Sequence, residues 1–143
     1  RQMCIRDRFC PVGSSTPTPC APGTFNAHSK RETCRKCAAG KYASADGSTA
    51  CADCTFGSYC TEGASAGLPC PAGRYQPLAG QVRCDNACPP GFYCPEGSAN
   101  PIPCPVGTFS LGLVEACTPC PYYDGQTEQT CFDDRYCCPE FTT

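Results

Sequence analysis

Large apolar side chains in this chain recur at one place in a repeating motif: a cysteine, two variable residues, a glycine, one further residue and then an aromatic. The pattern C-x-x-G-x-[YF] starts at Cys20, Cys37, Cys54, Cys70, Cys88 and Cys104. Its glycines are Gly23, Gly40, Gly57, Gly73, Gly91 and Gly107, and its aromatics are Phe25, Tyr42, Tyr59, Tyr75, Tyr93 and Phe109. Turn-forming and polar residues fill the space between. The glycine permits a backbone turn that other residues resist, and stretches such as Asp46-Gly47-Ser48 mark hairpin turns. The elements this predicts are short two-stranded ribbons, with helix nearly absent. Each aromatic has little core to enter and is expected to cover a disulfide or the neighbouring module.

Two module types alternate. The long type runs from one cysteine to a second, 13 or 14 residues on: Cys20 to Cys34, Cys37 to Cys51, Cys70 to Cys84 and Cys104 to Cys117. A further cysteine then completes C-x-x-C or C-x-x-x-C. The short type, C-x-x-G-x-Y-C, spans Cys54 to Cys60 and Cys88 to Cys94. It leads into a stretch that ends Pro-Cys, at Pro69-Cys70 and Pro103-Cys104; PVGSSTPTP before Cys20 is of the same kind. These stretches read as proline-rich linkers that restrict hinge motion. Cys54, Cys60 and Cys70 recur 34 residues later as Cys88, Cys94 and Cys104, the mark of a linear array. The organisation this suggests is cysteine-rich modules over 9–53, short-plus-long repeats over 54–87 and 88–120, and a degenerate or truncated repeat over 121–143. The expected shape is a rod in which each module touches only its neighbours.

Residues 1–8 read RQMCIRDR. The end of a transposase-library sequencing adaptor translates to the same string, so these residues read as translated adaptor. Cys4 and Cys10 share the spacing of Cys54 and Cys60, but Asp7 stands where the motif has glycine.

Composition explains what must hold such modules together. There are 18 cysteines in 143 residues, while Val, Ile, Leu, Met and Phe also number only 18 and Trp is absent. That cysteine share marks a disulfide scaffold, and so few large apolar residues cannot build a core of ordinary size. Cross-links at about 2–4 kcal/mol each must replace it. Such bonds persist in oxidising compartments, which points to the cell exterior or secretory lumen. A net charge of −2 argues against nucleic acid or anionic membrane as a partner. No apolar run approaches the roughly 20 residues of a membrane span. No signal peptide is visible, so the chain is read as a slice of a larger secreted or membrane-anchored protein.

The runs CPAGRY at Cys70, CPPGFYCPEGS at Cys88 and CPVGTF at Cys104, with their trailing cysteine pairs, resemble the ephrin-receptor-like cysteine-rich repeat. The long module also looks like the first half of a tumour-necrosis-factor-receptor cysteine-rich domain, among EGF-like disulfide modules more widely. The resemblance covers Phe9 to about Cys120. It implies a small disulfide-rich fold, an elongated array of short two-stranded hairpin modules with little regular secondary structure. It further implies the pairs Cys20–Cys34, Cys37–Cys51, Cys70–Cys84, Cys104–Cys117, Cys54–Cys60 and Cys88–Cys94. Beyond the resemblance, the stretch from Cys120 to Cys131 reads as a shortened long module, which adds Cys120–Cys131 as a seventh expected pair. Cys4, Cys10, Cys137 and Cys138 stay unassigned, because connectivity does not follow from sequence alone.

Other constellations compete with this scaffold for the same residues or add to it. Cys34/Cys37 and Cys51/Cys54 stand near a zinc-ribbon spacing, so an intracellular zinc-binding protein is one alternative. The single histidine, His28, lies in a polar loop without ligand spacing, and no catalytic motif is present. Asp133-Asp134 lacks the oxygen-rich set that calcium needs. Lys30-Arg31 and Arg35-Lys36 cluster positive charge around one module, as a solvated face or a site for an acidic glycan or partner. The reading is therefore a non-enzymatic extracellular repeat region without cofactor. It would act as a structural spacer or as an interaction module for a protein or glycan; the ligand-binding ectodomain of a receptor is the other alternative.

Overall fold

The computed structural model describes residues 8–9, 16–28, 33–105 and 108–119. Among them, fourteen strands of two residues each pair into seven antiparallel hairpins, and there is no helix. β1 (Arg8–Phe9) pairs with β2 (Thr18–Pro19), β3 (Thr24–Phe25) with β4 (Arg35–Lys36), and β5 (Lys41–Tyr42) with β6 (Ala52–Asp53). β7 (Ser58–Tyr59) pairs with β8 (Leu68–Pro69), and β9 (Arg74–Tyr75) with β10 (Asn86–Ala87). β11 (Phe92–Tyr93) pairs with β12 (Ile102–Pro103), and β13 (Thr108–Phe109) with β14 (Thr118–Pro119). The small disulfide-rich hairpin array expected from the sequence is the architecture observed.

Each hairpin follows from the motif. The residue after the motif glycine donates its amide to the carbonyl of the residue after the cysteine, as Thr24 does to Ala21 (3.0 Å) and Arg74 to Pro71 (3.1 Å), which closes a turn. The chain then leaves as a strand whose second residue is the aromatic. The return strand lies immediately before the next motif cysteine. That cysteine's amide bonds back to the motif glycine's carbonyl, as in Cys37 to Gly23 (2.9 Å) and Cys70 to Gly57 (2.8 Å).

This corrects the reading of the proline-rich stretches. Pro19, Pro69 and Pro103 are not in linkers but occupy the second position of return strands β2, β8 and β12. Proline lacks the amide that a longer ladder would need. In a two-residue strand it is tolerated, because the following cysteine resumes the bonding. Long and short modules thus form the same hairpin. Strands opening the hairpins begin at residues 8, 24, 41, 58, 74, 92 and 108, so the 34-residue period contains two structural units. We call the units beginning at Cys20, Cys37, Cys54, Cys70, Cys88 and Cys104 the first to the sixth.

Successive units are stitched by backbone. At each of the five junctions the motif glycine donates to the next unit, the residue three further on does the same, and a loop amide of the next unit donates back to the motif cysteine. Between the third and fourth units these bonds are Gly57 to Gln76 (2.8 Å), Cys60 to Gln81 (3.0 Å) and Gly80 to Cys54 (2.8 Å). Contact also reaches past the immediate neighbour, against the expectation that modules touch only the next in line. The motif glycine of the third unit, Gly57, lies against the carbonyl of Gly97 in the fifth. Gly23 is set against Gly63, Gly40 against Gly80 and Gly73 against Leu113 in the same way. The loop position that meets these glycines is itself glycine in three units, the third to the fifth; in the sixth it is Leu113, which keeps the left-handed backbone at φ 55° and is exposed.

The buried apolar set is Cys20, Cys37, Cys54, Cys60, Cys70, Cys84, Cys88, Cys94 and Ala43. The core is thus a run of bridged sulfur. The motif aromatics Phe25, Tyr42, Tyr59, Tyr75, Tyr93 and Phe109 are half-buried along it. Tyr42 also forms an isolated bridge with Ala64 of the following unit.

Candidate interaction surface

The predicted site residues are the cysteines, and the structure joins twelve of them. The bonds are Cys20–Cys34, Cys37–Cys51, Cys54–Cys60, Cys70–Cys84, Cys88–Cys94 and Cys104–Cys117. Their Cα–Cα distances run from 5.6 Å in Cys70–Cys84 to 6.1 Å in Cys54–Cys60, inside the range a disulfide spans. Cys4, Cys10, Cys120, Cys131, Cys137 and Cys138 lie outside the described residues, as do Asp133-Asp134 and Lys30-Arg31.

The C-x-x-C pairs do not act as pairs. Cys34 and Cys37 enter different bonds, and so do Cys51 and Cys54. A bridged sulfur has no thiolate to offer zinc. Among the described residues no group of three or more His, Cys, Asp or Glu side chains could hold a metal ion. His28 is exposed, and its backbone amide donates to Asn26 Oδ1 (3.2 Å). Nor is any helix among these residues long and apolar enough to cross a membrane.

A structural position that sequence reading missed lies six residues after each motif cysteine. It holds Asn26, Ala43, Cys60, Gln76, Cys94 and Ser110, and all six are buried. In the short modules the second half-cystine sits here. In three long modules a polar side chain accepts from the amide two residues on: His28 to Asn26, Leu78 to Gln76 Oε1 (3.3 Å) and Gly112 to Ser110 Oγ (3.0 Å). Gln76 Nε2 also donates to the Arg83 carbonyl (3.1 Å), and Asn26 Nδ2 to the Arg8 carbonyl (2.7 Å). These bonds satisfy groups that would be costly to bury unpaired. The signal in the sequence was the alignment of Asn26, Gln76 and Ser110 with Cys60 and Cys94.

The alternative cysteine position lies three or four residues before the next motif. It is Cys34, Cys51, Cys84 or Cys117 in the long modules, and Gly67 or Pro101 in the short ones. A Cβ on Gly67 would lie 3.9 Å from Cys54 Sγ and 2.9 Å from Ser58 Oγ, a hydroxyl that can turn away. The double change Cys60→Ala with Gly67→Cys is therefore expected to convert the third unit to the long type. Peptide mapping without reduction should find Cys54 bridged to the introduced thiol. Two free thiols in a folded chain would show that the module types are not interchangeable.

The rest of the surface is polar, with single apolar side chains such as Phe56, Leu78 and Leu111 more than half exposed. One cleft spans the junction of the first and second units. Phe25 and Ala38 line it, and Arg35, Lys36 and Lys41 border it, around a volume of about 300 Å³. Lys41 pairs across its hairpin with Asp53 (2.5 Å). Arg35 and Lys36 have no ion pair among the described residues. No protein-family model matches the chain, and no curated protein does. What is established is a cysteine-rich hairpin repeat module of the kind typical of oxidising, extracellular settings.

Proposed function

We propose that this chain is a non-enzymatic spacer segment of a larger secreted or cell-surface protein, one that holds flanking parts at a set separation. The observation that carries this reading is the stitching itself. Three backbone hydrogen bonds cross every one of the five junctions, and the glycine–loop contacts tie alternate units as well. A bend at one junction must break bonds at two levels, so units cannot hinge one by one. Side-chain chemistry contributes little to this role, in keeping with the small number of large apolar residues and the consumption of described cysteines in bridges. An ephrin-receptor-like ancestry would suit it, since such repeats occur in large multidomain ectodomains.

The test is a distance distribution. Two non-cysteine reactive residues, replacing exposed Ala52 and Glu115, carry a dye pair for single-molecule energy transfer on the oxidised chain. A narrow distribution that is insensitive to chelator is expected. A broad one, of the width seen for a freely jointed linker, would overturn the spacer reading.

A further inference from the structure

We infer that the cleft between the first and second units is a binding site for a sulfated oligosaccharide. Five of the eleven basic residues of the chain fall within residues 30–41, although the whole carries a net charge of −2. Three of those five, Arg35, Lys36 and Lys41, border the cleft, and no carboxylate is among its described lining residues. Asp53 takes up the charge of Lys41 only. Arg35 and Lys36 stand exposed on β4 without an acidic partner among the described residues, held one strand position apart by the hairpin. Arg35 lies directly opposite Phe25 in register, so guanidinium and ring share one face.

That combination specifies the ligand's chemistry. The planar guanidinium matches a sulfate bidentately on the Phe25 face, and Lys36, which leaves the other face of the hairpin, adds a point charge at the border of the cleft for a second sulfate. The ring offers a flat apolar surface to the non-polar face of a pyranose. The cleft's volume suits one or two sugar rings, not a folded partner. An acidic peptide is disfavoured because extended peptides add to a sheet edge through backbone bonds. Here the strands are two residues long, and at this junction Gly23, Asn26 and Gly47 have already spent their amides on the neighbouring unit. The site rests on the extracellular placement above but not on rigidity, so the dye-pair experiment and the following one can fail separately.

The experiment titrates a heparin-derived octasaccharide into the oxidised chain at several salt concentrations. Binding is expected to weaken with salt at a log–log slope near −2, as about two cations release counterions. Arg35→Glu with Lys36→Glu should weaken it at least tenfold and flatten that slope. Arg74→Glu with Arg83→Glu, elsewhere on the array, should leave it within twofold. Mapping of the six bridges verifies that both variants fold. Equal losses in the two double variants would mean diffuse attraction and overturn the site. No binding, or tighter binding of polyglutamate than of the sulfated sugar, would overturn it as well.

Discussion

Alanine at Gly57 is expected to destabilise the array by about 3 kcal/mol or more, while alanine at Gly63 costs about 1 kcal/mol. The two positions form a matched pair. Their φ angles are +73° and +74°, so the strain of placing an L side chain in the left-handed region is common to both. The surroundings differ. A Cβ on Gly63 would meet the Lys36 side chain at 3.5 Å, an ordinary contact with a flexible group. A Cβ on Gly57 would fall under 3.0 Å from the Gly97 carbonyl oxygen, two units along. Backbone cannot turn aside as a side chain can, so the third and fifth units must move apart. Amide hydrogen exchange supplies the measurement, because it reads opening locally. In Gly57→Ala, the amides of Gly57 and Gly97, bonded to Gln76 and Cys70, should exchange roughly a hundredfold faster than in the parent chain. In Gly63→Ala the acceleration should stay near fivefold. Equal effects would mean that backbone conformation alone makes the motif glycine necessary, and that alternate units do not bear on one another.

Much of the hairpin was legible because its determinants are local. Cysteine, glycine and aromatic at fixed spacing encode a turn and the strand that leaves it, and both need only a few consecutive residues. The return strand was harder to see. Leu68-Pro69 and Ile102-Pro103 contain proline after a run of small and polar residues, which is the composition of a linker. Only the two-residue length of the strand makes proline acceptable there. Asn26, Gln76 and Ser110 carry no local signal of burial, because polar residues are mostly exposed. Their burial comes from their equivalence to Cys60 and Cys94, which emerges once both module types are seen as one hairpin. The contact between alternate units depends on how each hairpin is rotated on the last, and no short motif records that rotation. The basic cluster was visible in the sequence, but its placement beside Phe25 required the cross-strand register.

Complete reduction is expected to unfold the chain, while a chelator leaves it untouched. The reason lies in what is buried. Apart from half-cystines, the apolar core of the described residues contains Ala43 alone, so loss of the bridges leaves little hydrophobic burial to retain the fold. Closing a loop with a separation of 13 or 14 residues is worth about 3 kcal/mol, and one of 6 about 2 kcal/mol. Six such contributions together exceed the roughly 5–15 kcal/mol by which ordinary domains are stable. Hydrogen exchange before and after reduction should show protection disappear along the whole array. Single-bridge removal then separates local from global cooperativity. With Cys54→Ala and Cys60→Ala, the amides of Gly40 and Gly80 lose firm acceptors, since they bond to the carbonyls of Cys60 and Cys54. Their exchange should accelerate about thirtyfold, the equivalent of about 2 kcal/mol. Gly91, in the fifth unit and bonded to Ser110 of the sixth, should keep its protection because stability in a linear array is mostly a sum over near neighbours. Uniform loss from Gly23 to Leu113 would instead mean that the array folds as one cooperative block. Unchanged exchange at Gly40 and Gly80 would mean that the backbone stitching alone maintains the unit.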